Sequence, residues 1–223
     1  MRNIKADPPN EEGSFCFMNN KKVIVYVDGF NFYFGLKSKK WKFFYWLDFV
    51  TFFSKFLKSY QELVELVYFS AIPLHTGKHD RQDKLFQANK LNPIFRLQLG
   101  KYLKKKINCP YCNNTINTFE EKETDVRIAT KMISDVLENR CDISILVSAD
   151  SDLVPPIEFI KQIKPEHKIF IYFPPGRHSI NLKSLSDGTK DLGSAFEVFK
   201  QCLLPEKVQL PSGYVIEKPN EWK

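Results

Sequence analysis

Two apolar runs in this 223-residue chain end in acid. Val23-Ile24-Val25-Tyr26-Val27 leads directly into Asp28, and Ile143-Ser144-Ile145-Leu146-Val147 passes through Ser148 and Ala149 to Asp150 and Asp152. If both runs are neighbouring strands of an open parallel sheet, three carboxylates share the edge outside the strands' carboxyl ends, where such sheets bind ligands. Asp125 opens the segment that feeds the second run, and a helix running antiparallel to the strands starts at that same edge. Two carboxylates about 4 Å apart repel by roughly 4 kcal/mol at an effective dielectric near 20, so four of them call for protonation or a cation. Oxygen donors with no imidazole or thiolate nearby in sequence suit Mg²⁺ or Mn²⁺. Paired ions of this kind activate water and stabilise the leaving oxygen of a phosphodiester. The chemistry expected of Asp28, Asp125, Asp150 and Asp152 is metal-dependent hydrolysis of nucleic acid by a two-metal-type mechanism.

Each acid has a plainer reading when taken alone. Asp28 before Gly29 suits a turn, Asp125 or Thr124 suits a helix cap, and Asp150 and Asp152 suit a solvated loop or a cap for the next helix. Taken together they favour a site, since independent caps have no reason to gather at one sheet edge.

The elements that must position these residues alternate. Strands are expected over 23–27, 63–72, 95–102, 143–147 and 168–173. Helical spacing covers 47–58, 78–92, 125–137, 153–163 and a short stretch near 181–185. Val126, Ala129, Met132, Ile133, Val136 and Leu137 form one apolar face in the third of these helices. Such alternation predicts an α/β fold in three layers, Rossmann-like, with a mainly parallel central sheet. Residues 1–20 read as a flexible leader, 21–200 as the domain, 107–118 as a polar insertion within it, and 201–223 as a proline-broken C-terminal tail.

Charge separates along the chain. Up to Lys106 there are 19 Lys and Arg against 9 Asp and Glu, and from Ile107 onward 14 against 17. A basic half suits a polyanionic partner through counterion release, and it equally suits solubility of a chain with 20 Phe. Trp41, Phe43, Phe44, Tyr45 and Trp46 interleave with Lys37, Lys39, Lys40 and Lys42. This mixture could stack bases, but core packing or a homo-oligomer surface suits most of the rings better. Of five cysteines only Cys109 and Cys112 are close, as half of a zinc knuckle that lacks a second CxxC. A reduced pair in a turn explains them as well. No apolar run reaches the length of a membrane span, and the first twenty residues have no signal-like apolar block. A cytoplasmic protein with no membrane partner is expected.

Three segments, in order, resemble the NYN domain family of the PIN-like nuclease superfamily. They are Val23-Ile-Val-Tyr-Val-Asp28-Gly29-Phe30-Asn31, Lys122-Glu-Thr124-Asp125-Val126, and Ser148-Ala-Asp150-Ser-Asp152-Leu153. Arg177-His178-Ser179 and Leu182 extend the likeness, which spans about residues 21 to 200. The resemblance implies a PIN-like fold and metal-dependent ribonuclease activity, with RNA favoured as the nucleic acid. It assigns Asp28, Asp125, Asp150 and Asp152 to the metal site, Asn31 to orienting an oxygen, and Ser148 to supporting the loop. Arg177 and Ser179 stand as substrate-side candidates, against an exposed loop arginine and a helix cap.

Two other enzyme-like and signalling folds also place acid after a first strand. A haloacid dehalogenase-type phosphatase needs a second aspartate two residues on, where this chain has Phe30. A receiver domain would leave the basic half without a purpose. A non-catalytic RNA-binding or scaffold protein that keeps the acidic pocket is the remaining alternative.

Overall fold

A computed structural model describes residues 20–72, 76–108, 111–112 and 114–223. Its central sheet holds β1 (Lys21–Asp28), β2 (Gln61–Ala71), β3 (Phe95–Asn108), β4 (Thr115–Lys122), β5 (Ile143–Val147), β6 (Lys168–Phe173) and β7 (Gly188–Asp191). They lie in the order β4-β3-β2-β1-β5-β6-β7. Only the β3–β4 pairing is antiparallel. The chain starts at the middle, steps outward through β2 and β3, then returns to the other side of β1 and steps outward again. The direction reverses between β1 and β5, and at such a switch point the crossovers diverge and leave a crevice at the carboxyl edge.

Both faces of the sheet are covered, so its central strands are apolar on both sides. Val23, Val25 and Val27 pack into one core with α1 (Gly29–Ser38), α2 (Phe49–Ser54), α3 (Thr76–Asn89) and α7 (Phe196–Gln201). Ile24 and Tyr26 point the other way, into a second core with α4 (Thr124–Leu137), α5 (Val154–Ile163) and α6 (Ile180–Leu185). This is the three-layer α/β arrangement expected, of the PIN-like kind. Phe44 and Trp46 are fully buried in the first core and Trp41, Phe43 and Tyr45 pack against it, so most of the interleaved rings are core. Among the described residues, no helix is long and apolar enough to cross a membrane.

Four local expectations change. Periodicity assigns no element to 29–38, whose two glycines and four aromatic residues are weak helix formers. α1 forms nonetheless because Asp28 caps it and Phe32 and Leu36 are buried by tertiary packing. Within the insertion expected over 107–118, the described residues include the end of β3, which continues to Asn108, and the start of β4, and the two strands pair from Lys101↔Lys122 to Asn108↔Thr115. The helix expected over 47–58 is shorter, capped by Asp48 through the amide of Thr51. The segment after Gln201 folds back rather than trailing away. Its β8 (Lys207–Gln209) and β9 (Val215–Glu217) form a small hairpin that buries Val208 and Ile216, and Trp46 Nε1 donates to the Pro205 carbonyl at 2.8 Å. Cys109 lies outside the described residues, and Cys112 is exposed.

Candidate active site

Asp28 ends β1 and caps α1, so one residue serves strand, cap and site. Its Oδ1 accepts from the Asn31 amide at 3.0 Å and its Oδ2 from Asn31 Nδ2 at 2.9 Å. The next residue must be glycine because α1 starts hard against β2. A Cβ on Gly29 would lie 2.4 Å from the Phe69 carbonyl oxygen and 2.5 Å from the Tyr68 ring, closer than real contacts allow.

From β5, Ser148 bridges the two strands. Its hydroxyl donates to Asp28 Oδ2 at 2.7 Å and accepts from the Asp150 amide at 3.0 Å. Asp150 then caps the 3₁₀ turn Ser151–Leu153, accepting from the Asp152 amide at 3.0 Å. Asp125 arrives from the first turn of α4. Neither Thr124 nor Asp125 occupies the cap position. Glu123 does, in the left-handed region at φ 79° and without a side-chain cap bond. Arg127 and Lys101 hold the Glu123 carboxylate at 2.7 and 3.4 Å, which fixes this uncommon turn from both sides.

The result is a group of three carboxylates. Asp28, Asp125 and Asp150 each offer an oxygen, and these oxygens lie within 4.8 Å of one another. Asp152 stands outside that group, exposed on the 3₁₀ turn. Asp28 is only 2% exposed. Burial raises its carboxyl above the usual range and the charge of Asp150 adds to the rise, while the bonds from Asn31 and Ser148 oppose it. An acid so buried, with further acids beside it, costs least with a cation present. The donors are all oxygen, so the group fits a hard divalent ion such as Mg²⁺ or Mn²⁺.

The remaining candidates divide. Arg177 Nη1 donates to Asn31 Oδ1 at 3.2 Å, and its guanidinium lies 5.9 Å from the Phe34 ring centre, so it belongs to this edge. Gly35 makes that approach possible, since a Cβ there would meet Pro174 Cβ at 2.9 Å on the turn that carries Arg177. Ser179 caps α6, accepting from the Leu182 amide at 3.4 Å. Sequence reasoning missed how closely β2 backs Asp28 through Tyr68, and the signal available was the glycine right after the acid.

The model of the NYN domain family matches residues 22–189 of the chain, from the start of β1 into β7. No curated protein matches it. Among solved structures, a protein of unknown function from Vibrio parahaemolyticus is similar at a TM-score of 0.52 and 18% identity, over 77% of this chain and 93% of that one. At that identity the likeness concerns the fold alone.

Proposed function

Because the chain belongs to the NYN domain family, a nuclease-type family, we propose that it is a metal-dependent nuclease that hydrolyses phosphodiester bonds, of RNA in preference to DNA. The observation that carries this reading is the group of three carboxylate oxygens within 4.8 Å at the β1–β5 switch point. Asp28, Asp125 and Asp150 are the residues to hold Mg²⁺ or Mn²⁺, with Asp152 at their margin. Bound there, such ions supply positive charge to a phosphodiester's oxygens and make a water more acidic, in the manner of two-metal sites.

The protein's own groups do the rest. Ser148 and the Asn31 side chain hold Asp28 Oδ2 while the Asn31 backbone amide holds Oδ1, so the carboxylate is oriented before substrate arrives. Arg177, held over Phe34 and against Asn31, offers its guanidinium to a phosphate oxygen. The lysine-rich first half draws the polyanion in through counterion release. A cytoplasmic setting agrees with a ribonuclease role.

The test is cleavage of labelled single-stranded RNA with Mn²⁺, beside a DNA strand of the same sequence. The expected result is RNA cleavage, abolished by EDTA and in Asp150→Asn, with DNA cut more slowly. Metal-independent cleavage that persists in Asp150→Asn would move the activity to another site. Binding without cutting under any metal would make the protein a non-catalytic RNA-binding or scaffold protein.

A further inference from the structure

A cavity of about 450 Å³ opens beside the carboxylate group, between α1, α3 and the carboxyl end of β2. Gly29, the residue after Asp28, is part of its wall, so cavity and carboxylates share the first turn of α1. Small-molecule pockets run from about 300 to about 1,000 Å³, which makes this a built pocket rather than a packing defect.

Its lining is aromatic to an unusual degree. Tyr33 contacts both Phe34 and Tyr45, with ring centres 5.3 and 5.1 Å apart. One turn earlier on α1, Phe30 meets Tyr102 of β3 edge-on at 6.2 Å. Tyr33 and Phe34 remain 37% and 43% exposed, so these rings are not consumed by the core in the way Phe44 and Trp46 are. Cations stand among them. Lys37 Nζ lies 5.7 Å from the centre of the Phe34 ring, and the exposed Lys78 belongs to the same lining. Deeper in, the Ser70 hydroxyl accepts from Gln82 Nε2 at 2.9 Å, and beyond that bond the pair has the hydroxyl proton and a second amide proton to donate and the Gln82 carbonyl oxygen to accept.

Flat rings, nearby cations and a few hydrogen-bonding groups match the demands of a nucleobase joined to a phosphate chain. We propose that this cavity is a base-binding pocket, which takes one unpaired nucleobase of the strand whose phosphate lies at Asp28, Asp125 and Asp150. The inference rests on the nuclease reading above and deepens it. Phe34 joins the two places, because Arg177 lies over its ring and also touches Asn31. A base in a duplex is stacked and paired, and must be extruded to enter such a pocket. The pocket therefore selects single strands, loops and ends over continuous duplex.

The test uses a short single-stranded RNA with one 2-aminopurine, on the Asp150→Asn background with EDTA so that nothing is cut. Stacking on the rings quenches the probe, and fluorescence anisotropy reads affinity. Quenching is expected, with a loss of about 5- to 150-fold in affinity for Phe34→Ala and for Tyr33→Ala, the range of one stacked base. Tyr33→Phe keeps its affinity, because the ring face is retained. Thermal melts check that each variant is folded, and Lys78→Gln, at an exposed position, gives a second route by lowering the salt dependence of binding. Unchanged affinity in folded Phe34→Ala, absent quenching, or equal affinity for the complementary duplex would overturn the proposal. Quenching by a chain that never cuts with Mn²⁺ keeps the pocket and removes the nuclease. Cutting without quenching removes the pocket alone.

Discussion

β1 and α4 bring acids together in two places, and the two are completed differently. Toward the amino end of the strand, Asp135 of α4 is 1% exposed. It accepts from Tyr26 Oη at 2.9 Å and Lys131 Nζ at 2.6 Å, and Arg140 Nε lies 3.4 Å away. Lys131 and Arg140 also reach Glu65 at 3.0 and 3.2 Å. At the carboxyl end, Asp28 is buried to nearly the same degree, but its hydrogen bonds come from Asn31 and Ser148, which are neutral. Asp125 and Asp150 add negative charge there. Asp125 and Asp135 sit ten positions apart on one helix, about 15 Å along its axis. One place is a closed ion network whose charges are answered by side chains. The other gathers three carboxylates at the carboxyl edge of the sheet, where the side-chain donors to Asp28 carry no charge.

The comparison is broken most forcefully at Lys131. Lys131→Met removes the cation shared by Asp135 and Glu65, and a loss of about 3 kcal/mol or more in unfolding free energy is expected by urea titration, since broken buried pairs cost about 3–5 kcal/mol. Arg140 keeps the effect toward the lower end.

His167 extends the structural end, bonded to Ser144 Oγ of β5 at 2.9 Å. Burial, with Lys161 and Lys164 nearby, lowers its value from 6.5 to about 4. The unfolded chain then takes up a proton that the folded chain refuses. Its contribution is complete above about pH 6.5 and is lost as pH falls toward 4, amounting to about 2–3 kcal/mol. His167→Gln flattens that part of a stability–pH curve, while a wild-type curve already flat over this range would remove His167 from the structural network.

Ser148→Ala sharpens the other side. It frees Asp28 Oδ2 from its bridge, and cleavage with Mn²⁺ falls about 10- to 100-fold, as for other groups that hold a metal ligand in place, with the fold intact. The smallest effect has the opposite sign. Asp28→Asn in metal-free protein relieves repulsion and burial of charge at once, and a slight rise in stability is expected by urea titration, where Asp135→Asn lowers it.

Much of the open site could be read from sequence because its parts carry local signals. β1 and β5 are short apolar runs, their acids follow at once, and α4 has a regular apolar face. Positions that depend on distant packing could not be read this way. Lys131 and Asp135 look like an ordinary exposed i, i+4 pair on a helix, and only the return of β2 with Glu65 makes them a buried network. β4 has the sequence TINTFEEK, too polar to announce a strand, and its partner β3 supplies the reason it forms. The docked segment after Gln201 was hidden by Pro205, Pro211 and Pro219, which break any periodicity although Val208 and Ile216 are apolar. Asp152 follows Asp150 by two residues, on the 3₁₀ turn that Asp150 caps, and is not one of the three acids whose oxygens converge.

Whether the open end takes up a cation is read most directly by calorimetric titration of chelator-treated protein with Mn²⁺. Saturable uptake is expected in wild type and in Lys131→Met, with loss in Asp28→Asn, Asp125→Asn and Asp150→Asn. Wild-type uptake that persists in the triple variant, or no uptake by folded wild type, would contradict a metal centre built by these three acids.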